Sequence, residues 1–129
     1  MAEPGQGFYP YQAQIEGYGN GGFRFAGMSH RGSLLCLPSG MHAWPVTDAA
    51  GVTLESLEPV LSLTDKLDVL LIGLGSDIAR LDPAIRQAFR ERGTIVEAIA
   101  TGGAVRTYNV LLAEQRAVGA ALIAVDHVR

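Results

Sequence analysis

The residues best suited to chemistry fall in two short stretches, Gly73-Leu74-Gly75-Ser76-Asp77 and Thr101-Gly102-Gly103 with Arg106-Thr107-Tyr108-Asn109 just behind it. Each stretch follows an apolar run of strand length. In open α/β sheets ligands settle outside the carboxyl ends of the strands. The second stretch is the more suggestive, because a helix begins there. A helix start offers unpaired N–H groups and about half a unit of positive charge. Gly102 and Gly103 would admit a ligand close to the backbone. Arg106 and Asn109 share a helical face that is not the apolar one. A small anion could be held there by backbone N–H groups and the guanidinium. The structural alternative has Thr101 capping the helix, the glycines permitting the turn, and Arg106 paired with Glu97 or Asp77.

Gly73-Leu74-Gly75 invites comparison with a dinucleotide-binding turn. That fingerprint needs a third small residue where Ile78 stands, and a helix that begins at once. Here the helix signals come later, at Asp82 and Pro83. The glycines then read as a tight turn passing close to a neighbouring element. There is no nucleophile elbow and no phosphate-binding loop ending in Gly-Lys. His30, His42 and His127 lack metal-ligand spacing. His30 reads as an exposed turn residue, His42 as a packed or edge strand residue, and Trp44 as a core anchor. Asp65 and Asp68 read as solvated carboxylates. Cys36, within Leu34-Leu35-Cys36-Leu37, reads as a small core hydrophobe. No catalytic residue is assigned, and neither a metal nor a cofactor is expected.

The elements that must position these residues follow from the hydropathy pattern. Residues 1–12 hold Pro4, Gly5, Gly7 and Pro10 and are expected as a flexible tail, with Phe8 and Tyr9 as docking points. Residues 13–129 are expected as a single α/β domain. From 15 to 44 the chain reads as β-structure. Turns are expected at 19–22, at 29–32 and at Pro38-Ser39-Gly40, and Pro45 ends the last strand. Phe23 and Phe25 alternate around Arg24. A short helical segment starts at Thr53, with Leu54, Leu57 and Leu61 at helical spacing. Thr53 and Ser56 are its caps, and Pro59 limits its length. Residues 68–73 form an apolar strand buried on both faces. Asp82, Pro83 and Gly93 bracket a helix. Its apolar stripe is Leu81, Ala84, Ile85, Ala88 and Phe89. Residues 94–99 form a strand. A helix then runs from 101 to about 116, with Ala104, Val105, Tyr108, Leu111 and Leu112 on its apolar stripe. Gly119 breaks it before a last strand at 120–125. A β-rich half thus feeds a β-α-β-α-β half, giving three layers about a central sheet. The first half either extends that sheet or lies across a face.

Composition bounds the function. The chain has 129 residues, is 48% hydrophobic and carries a net charge of -3. A chain of this length buries about two-thirds of its unfolded surface and folds without metal or disulfide. No basic patch is visible, because Arg80, Arg86, Arg90 and Arg92 are offset by Asp77, Asp82 and Glu91, so nucleic acid is not an expected partner. No run approaches the roughly 20 apolar residues of a membrane helix. No signal peptide or Arg-rich amphipathic presequence is evident, which points to the cytoplasm.

The order strand, Gly73-x-Gly75, helix, strand, then Thr101-x-x-Ala104-x-Arg106-Thr107-Tyr108-Asn109 resembles the family of mitochondrial complex I assembly factor 3. The adipogenesis-associated domain protein and many small bacterial proteins are similar. Gly-Phe-x-Phe-x-Gly from Gly22 to Gly27 and the Trp44-Pro45 pair add to the resemblance. The resemblance implies a three-layer fold whose mixed central sheet has one strand running against the others. It implies an assembly role through protein partners rather than a reaction. It also implies a pocket lined by Gly73, Gly75, Thr101, Arg106, Thr107, Tyr108 and Asn109. Two readings result: a non-enzymatic interaction or assembly protein, or a domain that binds a small anion or metabolite in that crevice. The first calls for an exposed apolar patch, the second for an unpaired Arg106. Oligomeric state is open, with Phe23, Phe25 or the last strand as a possible dimer edge.

Overall fold

Strand and helix signals are strongest in the second half of the chain, and the architecture is organised around them. A computed structural model describes residues 9–76 and 79–126. Along it run β1 (Gly17–Gly19), β2 (Gly22–Phe25), β3 (Met28–Arg31), β4 (Ser33–Leu37), β5 (Gly40–Trp44), α1 (Glu58–Leu61), β6 (Val69–Gly73), α2 (Pro83–Arg90), β7 (Ile95–Ile99), α3 (Thr101–Ala113) and β8 (Val118–Leu122).

The central sheet has the order β5-β4-β8-β6-β7. β6 pairs parallel with both β7 and β8, while β4 is antiparallel to β8 and to β5. One strand, β4, therefore runs against the other four. The apolar runs are continuous because alternate residues feed opposite layers. Leu35, Leu37, Leu70, Ile72 and Ala121 join Ile85 and Phe89 of α2 with Leu57 and Val60. Leu34, Cys36, Leu71, Ala120 and Leu122 join Ala104, Val105 and Tyr108 of α3 with Phe23 and Phe25 of β2. The first half of the chain does both things left open by its sequence. β4 and β5 extend the central sheet, and β1-β2-β3 forms a second sheet packed on the α3 side.

The capping signals of α2 act as read: the Asp82 carboxylate accepts from Ala84 N–H at 2.9 Å, Pro83 opens the helix, and Gly93 takes φ +85° beyond it. Trp44 is buried, and its indole N–H donates to the Ser56 carbonyl at 2.8 Å.

Four expectations are corrected. Residues 29–32 were expected as a turn, but 28–31 are strand. The hairpin turns earlier, at Ala26 and Gly27, which take φ +51° and +73°. Two central residues with positive φ match the twist of paired strands. His30 is consequently buried, not exposed, and its Nε2 lies 3.0 Å from the Ser33 carbonyl. Second, the helix expected from Thr53 starts at Glu58, and Pro59 sits in its first turn instead of limiting it. Proline fits there because that N–H needs no partner inside the helix. Thr53 and Ser56 exchange hydrogen bonds in the turn ahead, at 2.9 to 3.0 Å. Third, Gly119 does not break α3. The helix ends before Gln115, which takes φ +62°, and Gly119 lies inside β8. A side chain at Gly119 would crowd Leu67, the Cys36 carbonyl and Leu37 at 3.1 to 3.3 Å. Fourth, Phe23, Phe25 and β8 offer no dimer edge: both rings are buried, and β8 is flanked by β4 and β6.

Within the stretch expected as a tail, Phe8 and the rest of 1–8 lie outside the described residues. Tyr9 exchanges two backbone hydrogen bonds with Met41 at 2.8 Å, and Gln12 donates to the Val118 carbonyl at 2.7 Å. Among the described residues no helix is long and apolar enough to cross a membrane.

Candidate functional site

The carboxyl ends of β6, β7 and β8 are tied together by one buried hydroxyl. Thr101 Oγ1 donates to the Ile123 carbonyl at 2.7 Å and accepts from Gly75 N–H at 3.0 Å. The Thr101 N–H donates in turn to the Gly75 carbonyl at 2.9 Å. Thr101 is therefore not the cap of α3. Ala100 holds the cap position without a side-chain hydrogen bond, and Thr101 is the first helical residue. Gly73 is required by this contact, since a Cβ there would stand 2.9 Å from Thr101 Cα and 3.1 Å from Leu122 Cδ2.

Above this tie lies a crevice of about 230 Å³ between the Gly75 turn and the start of α3. Of the seven residues expected to line it, Gly75 and Arg106 do so, beside Gly102 and Gly103. Gly73 and Thr101 lie beneath, in the tie. Arg106 is exposed, and no hydrogen bond or ion pair to it forms among the described residues. Of the acids considered as its partners, Glu97 does not pair with it, and Asp77 lies outside the described residues. Thr107 is exposed on the outer side of α3.

Tyr108 and Asn109 are directed elsewhere. The Tyr108 ring is fully buried, its hydroxyl donates to the Ala13 carbonyl at 2.7 Å, and burial pushes that hydroxyl far above the ordinary phenol range. Asn109 grips the backbone of Ile15 at two points: Oδ1 accepts from Ile15 N–H and Nδ2 donates to the Ile15 carbonyl, both at 2.8 Å. These two residues strap segment 12–16 across α3. Losing the Tyr108 hydroxyl in Tyr108→Phe is expected to cost about 1 kcal/mol, read by chemical denaturation, because the Ala13 carbonyl loses its donor.

Ser76, in the first of the stretches singled out from sequence, also lines the crevice, and so do Tyr18, Ala100 and Val125, which were missed from sequence. Val125 carried a usable signal: it follows β8, a third carboxyl end of the same sheet. Tyr18 carried none, because its approach to Gly102 depends on how the second sheet docks.

Neither histidine within the described residues belongs to a metal constellation. No group of three or more His, Cys, Asp or Glu side chains among the described residues is placed to hold a metal ion. His42 hydrogen-bonds Ser39 at 2.9 Å, and partial burial holds it below the ordinary imidazole range. Cys36 is fully buried, and desolvation pushes its thiol far up, which leaves it inert.

Beside the crevice three apolar side chains are exposed, two on β7 with the exposed Glu97 between them and one on α3. Ile95 is 63% exposed, Ile99 38% and Val110 56%. A Cβ on Gly103 would meet Ile99 Cδ1 at 3.2 Å, so the start of α3 lies against the end of β7. Gly103 and Val110 are two turns apart on one face. α3 starts at the end of β7 and then packs mainly over β6 and β8, with Val110 exposed on its outer side. β7 is an edge strand of the central sheet. Part of that edge is already engaged, since the Arg86 guanidinium donates to the Val96 carbonyl.

Comparison with known proteins fits this architecture. Residues 15–123 match the family model described as Protein of unknown function (DUF498/DUF598). An uncharacterised protein of Rhodobacter capsulatus is 40% identical over 109 residues, which is 84% of this chain and 82% of that protein. NADH dehydrogenase (ubiquinone) 1 alpha subcomplex assembly factor 3 of Mus musculus is 34% identical over 118 residues, covering 92% of this chain. This chain spans 64% of the mouse protein's length. The crystal structure of an outer membrane protein from Bartonella henselae superposes with a TM-score of 0.87 at 48% identity, covering 92% of this chain and 99% of that one. The chain is homologous to complex I assembly factor 3 and belongs to the protein family of unknown function DUF498/DUF598.

Proposed function

We propose that this protein is a non-enzymatic interaction or assembly protein of the cytoplasm that assists biogenesis of a respiratory NADH dehydrogenase by docking a partner protein. The observation that carries the reading is the exposure of Ile95 and Ile99 on the edge strand β7 and of Val110 on α3, with Glu97 between the two isoleucines. Exposed branched apolar side chains gain free energy when a partner excludes water from them. The homology to an assembly factor supports a protein as the occupant. Self-pairing of β7 about its central residue would set Glu97 against Glu97, which like charges disfavour. The expected partner is therefore a different chain. The test is complementation. Deleting the gene in its host is expected to lower membrane NADH dehydrogenase activity, and the parent gene to restore it. The doubly substituted Ile95→Lys, Val110→Lys protein is expected to accumulate and fold normally, since exposed substitutions shift stability by only about 0.5 kcal/mol. It is expected not to restore activity. Full restoration by this variant would overturn the reading.

A second reading is favoured by one observation: Arg106 stands at an uncapped helix start, over a crevice, with no ion-pair partner among the described residues. In this reading the crevice holds a small anion. Phosphate and sulfate are then expected to raise the melting temperature of the parent. At a hundredfold excess over the dissociation constant the gain is about 2.7 kcal/mol. Arg106→Ala is expected to abolish it. Gly102→Ala is a second probe. Its Cβ would stand 2.4 Å from the Tyr18 hydroxyl, the movable end of a side chain, so it narrows the crevice. The helix itself would gain up to about 1 kcal/mol. Equal shifts in the parent and both variants would sink this second reading.

A further inference from the structure

The outer face of the three-stranded sheet has an unusual composition. Pairing sets Gly17 opposite Arg24 and Arg24 opposite Ser29; it sets Gly19 opposite Gly22 and Gly22 opposite Arg31. Strand alternation puts these six residues on one side, and Tyr18, Phe23 and His30 on the other. Phe23 and His30 are buried on that inner side, and the Tyr18 hydroxyl reaches the start of α3. The outer face thus consists of glycine, serine and arginine. A cavity of about 570 Å³ lies over it.

We infer that this face binds an extended, carboxylate-rich polypeptide segment, with Arg24 and Arg31 as its cationic contacts. The partly exposed backbone of Gly17 and Gly19 lets a chain lie close to the sheet, while Gly22 is buried against β3. Arg24 and Arg31 are both exposed, and the Arg24 guanidinium is held across the strands by donating to Ser29 Oγ at 3.0 Å. They are diagonal neighbours across β2 and β3, about 7–8 Å apart at the backbone. In an extended chain alternate side chains recur about every 7 Å. Carboxylates at every second position therefore match the two guanidiniums, each of which can take a carboxylate through two parallel hydrogen bonds. Two carboxylates border the sheet without neutralising the pair. Glu16 accepts from Gly27 N–H at 3.1 and 3.3 Å, and Asp126 lies beside Gly21 at the first hairpin. The absence of an outward aromatic ring on this face removes the base-stacking platform that single-stranded nucleic acid uses. The choice of a polypeptide as occupant rests on the partner-protein reading; the cationic face does not depend on the exposed residues of β7 and α3.

The test uses the full chain, isotope-labelled, titrated with a hexaglutamate peptide and followed by amide NMR. Saturable shifts are expected at Gly17, Gly19, Gly22 and Arg24, weakening at least tenfold when salt is raised from 50 to 500 mM. Arg24→Gln with Arg31→Gln is expected to abolish them. Gly17→Glu is expected to do the same with the fold intact, since a side chain there meets nothing within 4 Å and brings a competing carboxylate beside Arg24. Ile95→Lys with Val110→Lys is expected to bind the peptide as the parent does, so failure here and failure of the β7 and α3 docking reading are told apart. Three outcomes would overturn the inference: no saturable shift, shifts spread evenly over Arg90, Arg92 and Arg116, or tighter binding of a thymidine hexanucleotide at the same residues.

Discussion

Thr101→Val is expected to destabilise the fold by about 3 kcal/mol, a large effect for a near-isosteric change. Valine keeps the shape of threonine and fills the same space, so no cavity term enters. What disappears is the hydroxyl that donates to the Ile123 carbonyl and accepts from Gly75 N–H. Both backbone groups then lose a partner at a site where Thr101 itself is fully buried. Each unsatisfied buried group costs about 1–3 kcal/mol. A domain of this kind has only about 5–15 kcal/mol in total. The melting temperature is expected to fall by roughly 10 °C. Thr101→Ser keeps the hydroxyl, loses one methyl, and is expected to cost about 1 kcal/mol. Chemical denaturation of the two variants side by side separates hydrogen bonding from packing. Equal losses would show that the hydroxyl contributes nothing.

Asn109→Asp is the second large effect, and it carries a pH signature. The side chain keeps its size, but the atom facing the Ile15 carbonyl changes from a donor to a carboxylate oxygen. At neutral pH two acceptors then oppose each other, and the expected loss is about 2–3 kcal/mol. Protonation restores a donor, so the folded state favours the neutral acid and raises its pKa above the unfolded value of about 3.9. A group with a raised folded pKa stabilises below its unfolded pKa and loses that stabilisation as pH rises. The variant is therefore expected to approach the parent near pH 3 and to fall away from it above pH 5. Amide exchange at Ile15 is expected to accelerate over the same range. A pH-independent difference would contradict the two-point grip of Asn109 on Ile15.

The parts of the fold legible in sequence are those set by local chemistry. β6 reads from a continuous apolar run, and α2 from Asp82, Pro83 and Gly93, because caps and buried strands depend on residues close in the chain. β3 did not read, because its hairpin turns on Ala26, a non-glycine residue with φ +51°. The start of α1 did not read either, because proline both opens and ends helices, and sequence alone does not distinguish the two. At the crevice, Gly75 and Arg106 were reachable because strand ends and helix starts can be located locally. The engagement of Tyr108 with Ala13 and of Asn109 with Ile15 was not, since each pair is more than 90 residues apart in the chain. Arg-Thr-Tyr-Asn reads as a single functional motif, yet Arg106 faces the crevice, Thr107 faces solvent, and the last two residues anchor segment 12–16.

Docking through β7 and α3 is tested most directly by site-specific photocrosslinking in the native host. A benzophenone side chain would replace Ile99, on β7, and in a separate strain Glu55, exposed beside Ser56 on the opposite layer. Irradiation of growing cells is expected to give a discrete crosslink from position 99 to a subunit of the respiratory NADH dehydrogenase, identified by mass spectrometry, and none from position 55. Crosslinks that are absent at 99, or the same from both positions, would contradict β7 and α3 as the face through which this protein works.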